Sequence, residues 1–353
     1  MNLKKLRKQI DLLDARIVDA LNERLGVSLK IRKLKKKLGK GIYSPEREQQ
    51  VIAKLKKISR GPLSPGALEG IYREIMSSAL ALERPLRIAY LGPEATFTHL
   101  AAIKRFGQQL EYLPCGSISD VFKEVERLNA DYGVVPVENS IEGAVTHTLD
   151  ILIDSDLKIC SQVVMNVTHN LLSNSAKGKI GKIYSNPQVF AQCRLWLQKN
   201  FPGAELIDVA STTKAAQIVQ KQKNAACIAS TLAASVYKLK IIAGDIEDSP
   251  SNITRFLVLG KNGANPTGND RTSLVFSIKD KVGALHDMLV PFKKYRINLT
   301  KIESRPSKKR AWDYYFFVDL EGHIQEKKVA RALKELEAYA KFFKILGSYP
   351  RVE

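Results

Sequence analysis

Residues able to do polar chemistry recur in short groups along this chain. Asn252-Ile253-Thr254-Arg255-Phe256 follows an acidic, Pro/Ser-containing loop and runs into the apolar stretch Phe256–Leu259. A Thr and an Arg at the start of a strand aim a hydroxyl and a guanidinium into whatever cleft the strand borders. Glu138-Asn139-Ser140 follows the apolar run Tyr132–Val137, and α/β sheets present ligand sites at such strand ends. Asn139 and Ser140 can donate hydrogen bonds there, Glu138 can orient a partner, and Gly143 permits close backbone approach. Thr96 and Thr98 follow the Gly92-Pro93 turn, and Ser211-Thr212-Thr213 reads as a helix N-cap offering backbone N–H groups to an anion. Gln188, after Ser185-Asn186-Pro187, either contacts a ligand or only begins its helix. His99, His147 and His169 have no Asp/Ser register suggesting a triad and read as structural.

A second set is cationic and lies near the N-terminus. Arg24 and Lys35 are eleven residues apart, which leaves them about 20° out of phase on a helix, so they share a face. Arg7 is seventeen residues from Arg24 and points elsewhere, so it serves a partner's site more readily than its own chain's. Arg47 stands beside Glu48. Three such cations with Arg47 suit a small dicarboxylate, because guanidinium binds carboxylate in a planar fork.

The elements that must hold these groups fall into three stretches. Leu3, Leu6, Ile10, Leu13, Ile17, Leu21 and Leu25 keep the 3–4 spacing of one long helix over 3–38. Gly39 and Gly41 stop it, and Ser44-Pro45 and Ser64-Pro65 each read as an N-cap followed by Pro at the first helical position. Pro85 closes this unit. A helix of about 36 residues spans about 54 Å; two shorter helices cannot cover its stripe, which predicts dimerisation. From Leu86 an α/β rhythm begins, with strands at 86–91, 132–137, 182–184, 206–209, 225–229 and 253–259. Residues 261–270 read as a linker. Beyond it comes a β-α-β-β-α-β pattern, with strands near 271–278, 297–304, 312–319 and 342–348 and helices near 284–295 and 325–339.

Composition narrows the function classes. The 353 residues allow two or three domains. No run of 18 apolar residues exists and the N-terminus lacks an apolar signal region, so neither membrane nor export is expected. Cys115, Cys160, Cys193 and Cys227 are singletons without metal spacing, which predicts no metal site and a reducing, cytoplasmic compartment. The net charge of +20 is densest at residues 1–84, with 20 Lys/Arg against 9 Asp/Glu. Tyr43 is the one aromatic among the first 60 residues, so no stacking platform for nucleic acid exists. Steering of small dianions fits the charge better.

The motifs at Gly92–His99, Val135–Ser140, Ser185–Gln188, Ser211–Thr213 and Asn252–Phe256, in this order and spacing, resemble prephenate dehydratase over residues 86–260. Leu6-Arg7 with Asp14, Glu23-Arg24, Lys35 and Tyr43–Glu48 resemble the all-helical chorismate mutases over residues 1–84. Gly283-Ala284-Leu285 and Glu303-Ser304-Arg305-Pro306 resemble an ACT domain over 271–353. The resemblance implies a multidomain α and α/β fold. A helical mutase would precede a two-lobed dehydratase like a periplasmic binding protein and a ferredoxin-like ACT module. It implies that Arg7 (from the other subunit), Arg24 and Arg47 hold carboxylates, that Lys35 donates to the ether oxygen and that Glu48 takes the substrate hydroxyl. Glu83 aligns where Gln or Glu donates to that oxygen. Ser44 stands where Asp is frequent, and Ala79 where some members place Ser. In the dehydratase part Thr254 would donate to the leaving hydroxyl, Arg255 would bind a carboxylate or fix the strand, and Phe256 would complete the motif at the substrate. Gly283, Ala284, Leu285, Glu303, Ser304 and Arg305 would bind L-phenylalanine; His286 stands where an aliphatic residue is more usual.

These resemblances jointly imply an enzyme that needs no cofactor and forms a homodimer or larger oligomer. It would turn chorismate into prephenate and prephenate into phenylpyruvate, under phenylalanine inhibition. Dehydration of arogenate is a close alternative. A non-enzymatic, amino-acid-responsive binding protein is a more distant one, against which Thr254-Arg255 argues.

Overall fold

The computed structural model describes residues 2–37, 43–83, 86–249, 251–278, 281–307 and 313–351, with the side chains of Lys36 and Glu83 left aside. The expected stops at Gly39, Gly41 and Pro85 lie outside the described residues. The chain divides into two compact units: residues 1–86 with 106–111, and residues 87–105 with 112–353.

The first unit is helical. Helix α1 (Leu3–Lys37) is rich in Leu, Lys and Arg, residues that lose little side-chain freedom in a helix. Helices α2 (Pro45–Ile58) and α3 (Pro65–Glu83) follow. Ser64 caps α3 as expected, its Oγ accepting from the Ala67 N–H at 3.2 Å. Ser44 occupies the N-cap position of α2, but its hydroxyl makes no cap bond. Along α1 much of the apolar stripe is left open among the described residues: Leu3, Ile10, Leu13 and Ile17 each stay more than half exposed, while Leu6, Leu21 and Leu25 are half-buried.

The second unit contains three sheets. The first sheet holds β1 (Arg87–Leu91), β2 (Glu111–Cys115), β3 (Tyr132–Asn139), β4 (Gly143–Ala144), β5 (Lys158–Asn166) and β11 (Ile253–Gly260). Its order is β2-β1-β3-β11-β5, with β4 paired to β3. Helices α4 (Phe97–Phe106), α5 (Ile118–Glu126) and α6 (Thr146–Asp154) belong to this lobe. The second sheet runs β10 (Lys240–Ala243), β6 (Asn170–Ser173), β9 (Ala225–Ala229), β7 (Lys182–Ser185), β8 (Glu205–Asp208). Its helices are α7 (Pro187–Gln192), α8 (Arg194–Asn200), α9 (Thr212–Val219) and α10 (Thr231–Val236). The chain crosses between these lobes twice, from β5 to β6 and from β10 to β11. β11 therefore returns to the first sheet and lies antiparallel between β3 and β5. Of the strands in this region, β2, β4, β5, β6 and β10 were not read from sequence.

The third sheet is antiparallel, in the order β13 (Leu299–Pro306), β14 (Tyr314–Glu321), β12 (Asp270–Ser277), β15 (Phe342–Pro350). Helices α11 (Ala284–Lys294) and α12 (Lys327–Tyr339) complete the expected β-α-β-β-α-β order. Alternation splits its strands between two cores. Leu274, Phe276, Val318 and Leu320 pack under the helices with Met288, Phe292 and Leu333. Val275, Tyr315, Phe317 and Tyr349 instead join Leu257, Leu259, Val135 and Val137 of the first lobe. The C-terminal module and this lobe thus share one apolar core. Lys344 fastens the same face: its Nζ donates to the carbonyls of Leu152, Ile153 and Ser155 at 3.1, 2.7 and 2.6 Å. These are the unpaired acceptors at the end of α6, where a cation is favoured. At Gly347 a Cβ would overlap the Ile159 backbone, with the carbonyl carbon at 2.9 Å. Gly347→Ala should lower the stability of the second unit by about 1–3 kcal/mol. Gly263→Ala, where nothing lies within 4 Å, should stay nearly neutral; chemical denaturation of both variants checks the contrast.

Candidate functional site

In the helical unit, Arg24 and Arg47 line a cavity of about 390 Å³ with Lys54, Tyr72, Val51, Leu55 and Ile58. Nη1 of Arg24 is buried and meets no hydrogen-bond acceptor among the described residues. A buried guanidinium edge left open is costly unless an anion completes it. Near the end of α1, Lys35 donates to Ser44 Oγ at 3.3 Å. That contact places the Lys35 ammonium at the α2 start. Glu48 is half-buried and Arg47 exposed on α2. Arg7 is exposed and lies about 26 Å along α1 from Arg24, outside this cavity, as its helical phase requires. Ala79 is buried, and the Glu83 side chain lies outside the described residues. Lys54 and Tyr72 were not singled out from sequence. Lys54 was legible, because a residue seven beyond Arg47 repeats the same helix face; Tyr72 comes from α3, and only tertiary packing supplies it.

In the second unit the central residue is Thr254, 7% exposed at the start of β11. Its cross-strand partner is Asn139 at the end of β3. Asn139 Oδ1 accepts the backbone N–H groups of Ile141 and Glu142 at 2.9 and 3.1 Å. The amide nitrogen must therefore face the other way, and it donates to Thr254 Oγ1 at 2.8 Å and to Asn252 Oδ1 at 2.7 Å. Ser140 is occupied by backbone: its Oγ donates to the Ser251 carbonyl at 2.7 Å and accepts the Ile253 N–H at 2.9 Å. Both bonds pin the start of β11.

Thr254 and Arg255 do not share a cleft. Consecutive strand residues point to opposite faces, and Arg255 turns to the C-terminal sheet. Its Nη1 meets Asp319 of β14 at 2.6 Å and its Nη2 meets Glu138 at 3.2 Å. Glu138, the cross-strand partner of Arg255, also meets Lys301 of β13 at 3.0 Å. Asp319 accepts from Ser273 Oγ at 2.5 Å, and Ser273 bonds Tyr349 at 2.7 Å. Burial works against the charged guanidinium. Asp319, Tyr349 and Glu138 more than offset this, so the Arg255 pKa stands above the ordinary arginine value. Burial and Asp319 push the Tyr349 phenol up to about 12. Of the two sequence readings of Arg255, fixing the strand matches this geometry. Phe256 is 2% exposed, and its ring is buried with the sheet.

The remaining hydroxyls divide between caps and open groups. Thr96 Oγ1 donates to the Leu91 carbonyl at 3.0 Å and accepts from the His99 N–H at 3.3 Å. Ser211 caps α9 through the Lys214 N–H at 3.0 Å. Thr98 and Thr212 are buried, and Thr213 Oγ1 is buried without a hydrogen-bond partner among the described residues. Gln188 is exposed on the first turn of α7, capped by Asn186. His99 accepts the Ala95 N–H on Nδ1 at 3.1 Å and stacks on Tyr90; burial lowers its pKa. These contacts fit the structural reading its sequence context suggested.

In the C-terminal module Gly283 has φ of 77° at the start of α11, a conformation suited to glycine. Ala284 is buried, while Leu285 lies at the surface. Glu303 is half-buried and Ser304 exposed on β13, an edge strand. Arg305 leaves this group: its Nη2 reaches both carboxylate oxygens of Asp150 on α6, at 3.1 and 3.3 Å. It ties the module to the first lobe.

Three family patterns match in order: chorismate mutase type II over residues 6–84, prephenate dehydratase over 88–264 and ACT domain over 272–338. A bifunctional chorismate mutase/prephenate dehydratase of Aquifex aeolicus is 50% identical, covering 99% of this chain and 98% of its own. One from Pseudomonas aeruginosa is 44% identical over the same shares. Among solved structures, the prephenate dehydratase of Arthrobacter aurescens in complex with L-Phe aligns with a TM-score of 0.70 at 33% identity. It covers 75% of this chain and 90% of that one. Similarity over nearly the full length of both chains, together with the three matched patterns, makes this chain a member of the bifunctional chorismate mutase/prephenate dehydratase family.

Proposed function

We propose that the helical unit rearranges chorismate to prephenate and that the second unit converts prephenate to phenylpyruvate. The rearrangement needs no nucleophile; the site must hold the compact pericyclic geometry and stabilise charge growing on the ether oxygen. Arg24 and Arg47, with Lys54, supply cations for two carboxylates, and Lys35, oriented by Ser44, donates to the ether oxygen. Glu48 takes the substrate hydroxyl. Arg7 reaches the cavity of a second copy. The exposed stripe of α1 supports that assembly, since helix faces of this length need a covering partner. Four buried cysteines without disulfides fit a cytoplasmic enzyme.

For the dehydration the observation that carries the reading is the polarity at Thr254. Its oxygen receives a hydrogen from Asn139, so its own hydrogen is available to an acceptor in the cleft. The ring hydroxyl of prephenate leaves as water, taking up one proton as the ring carboxylate departs as carbon dioxide and the ring becomes aromatic. A fixed donor on that oxygen stabilises the departing charge. Thr98, Thr213 and the N–H groups opening α9 receive carboxylate oxygens. Arg255 and Glu138 hold β11 and β3 in place rather than touching substrate.

The C-terminal module binds L-phenylalanine around Gly283 and Glu303, and inhibition passes through the contacts it makes with the first lobe. Arg255 is covalently next to Thr254, and its partner Asp319 belongs to the module. Ligand binding that favours another setting of β14 bears directly on the donor.

Thr254→Ala should lower prephenate turnover about a hundredfold to a thousandfold while mutase activity stays intact. Lys35→Ala should do the reverse. Phenylpyruvate formation within threefold of wild type in Thr254→Ala would remove Thr254 from the chemistry. At Gly283 a Cβ would meet open space, so Gly283→Val acts through backbone strain at positive φ, about 1–3 kcal/mol, rather than by crowding. It should weaken phenylalanine binding at least tenfold by calorimetry, with uninhibited turnover within twofold. Unchanged phenylalanine affinity would move the effector site elsewhere.

A further inference from the structure

The polarity at Thr254 does not end at Asn139. Asn252 Oδ1 accepts from Asn139, so the Asn252 amide nitrogen is the end that faces Gln192, donating to its Oε1 at 3.2 Å. The same Gln192 oxygen lies 2.7 Å from His169 Nε2. An amide oxygen can only accept, so the His169 hydrogen sits on Nε2. Nδ1 is then the bare nitrogen; it is buried and meets no hydrogen-bond partner among the described residues. Burial lowers the His169 pKa, opposed by Gln192 and Glu247, which suits this neutral form. Every donor and acceptor from His169 to Thr254 is thereby assigned, anchored at one end by the backbone N–H groups of Ile141 and Glu142.

The placement of these residues matters as much as their polarity. His169 lies in the crossing from β5 to β6, and Asn252 in the crossing from β10 to β11. The two crossings are bonded to each other: the Val167 N–H donates to the Asn252 carbonyl at 2.7 Å, and the Ile246 N–H to the His169 carbonyl at 2.9 Å. The His169 N–H also reaches Glu247 Oε2 at 2.9 Å. Gln192 ends α7 in the second lobe, and Asn139 and Thr254 belong to the first. The chain of side chains therefore spans the two crossings between the lobes and ends on the Thr254 hydroxyl.

We propose that His169 and Asn252 are positioning residues of the dehydration: from the hinge, through Gln192 and Asn139, they hold the Thr254 hydroxyl with its hydrogen turned to the substrate. This rests on the reading of Thr254 as the donor. Carboxamides do not pass protons along, so the network orients and is not a relay. Its setting depends on the angle between the lobes, which couples closure over a ligand to the aim of the donor.

His169→Phe keeps ring volume and removes the Nε2 donor; His169→Gln restores an amide donor near that position. Asn252→Ala cuts the chain at its centre. In the full-length enzyme, kcat for prephenate should fall about tenfold to a hundredfold in His169→Phe and Asn252→Ala, the range expected for a misplaced catalytic group. KM should stay within about threefold, since only the transition-state interaction is lost. His169→Gln should recover most of the rate, and mutase activity should not change. In a Thr254→Ala background, His169→Phe should have almost no further effect, because both act on one hydroxyl. If Thr254→Ala is slow but His169→Phe matches wild type or lowers the rate by the same factor in both backgrounds, the hinge assignment is overturned. If Thr254→Ala itself is fast, the donor reading fails first. Melting curves for each variant, with His169→Gln as the mildest change, separate misfolding from misplacement.

Discussion

The arrangement of the dehydratase unit depends on one constraint: neighbouring residues on a β-strand face opposite ways. Thr254 and Arg255 sit on β11, the strand that returns from the second lobe and lies between β3 and β5. Alternation gives Thr254 to the side of Asn139 and Asn252, and Arg255 to the side of the C-terminal sheet. A slip of one residue would exchange them and bury the wrong group. The register is held by the backbone bonds of Ser140 on both sides of Asn252 and by paired residues on both flanking strands.

On the far face of β11 the Arg255–Asp319 pair is almost enclosed, with side chains 11% and 8% exposed. Burying two charges is expensive, and the attraction between them compensates only when the geometry is good and the remaining lone pairs are met. Glu138 meets Arg255 Nη2, and Ser273, itself bonded to Tyr349, meets Asp319 Oδ1, while Arg255 Nε stays without a hydrogen-bond partner among the described residues. Around this polar centre lies an apolar core common to lobe and module. The C-terminal sheet is consequently joined to the lobe by packing, by Lys344 on the end of α6 and by Arg305 on Asp150, as well as by its linker.

The helical unit solves a different problem. Its cations are spread over α1 and α2, and a single chain brings Arg24, Arg47 and Lys54 to one cavity while leaving Arg7 far along α1. The same helix keeps a long apolar stripe exposed. Both features follow from a helix much longer than the two that pack on it.

The sequence by itself determined the three-part order, the helical period of α1, the strand that carries Thr254 and the full β-α-β-β-α-β pattern at the C-terminus. These are local signals: spacing of apolar residues, Pro and Gly punctuation, and turn chemistry, all read within a window of a few turns. Helix phase alone separated Arg7 from Arg24. Strands β5 and β6 escaped because Ser161, Gln162 and Asn170 interrupt their apolar runs, and these polar residues are buried against partners distant in sequence, such as Arg271 for Gln162. The destinations of Glu138, Arg255 and Arg305 likewise depend on residues 64 to 163 positions away, and Lys301, placed by tertiary packing, could not be inferred from local pattern. His169 shows the same limit: it has no triad register, yet the two hinge crossings bring it within three hydrogen-bonded side chains of Thr254. Local pattern decides which element a residue occupies; only the folded chain decides what its side chain meets.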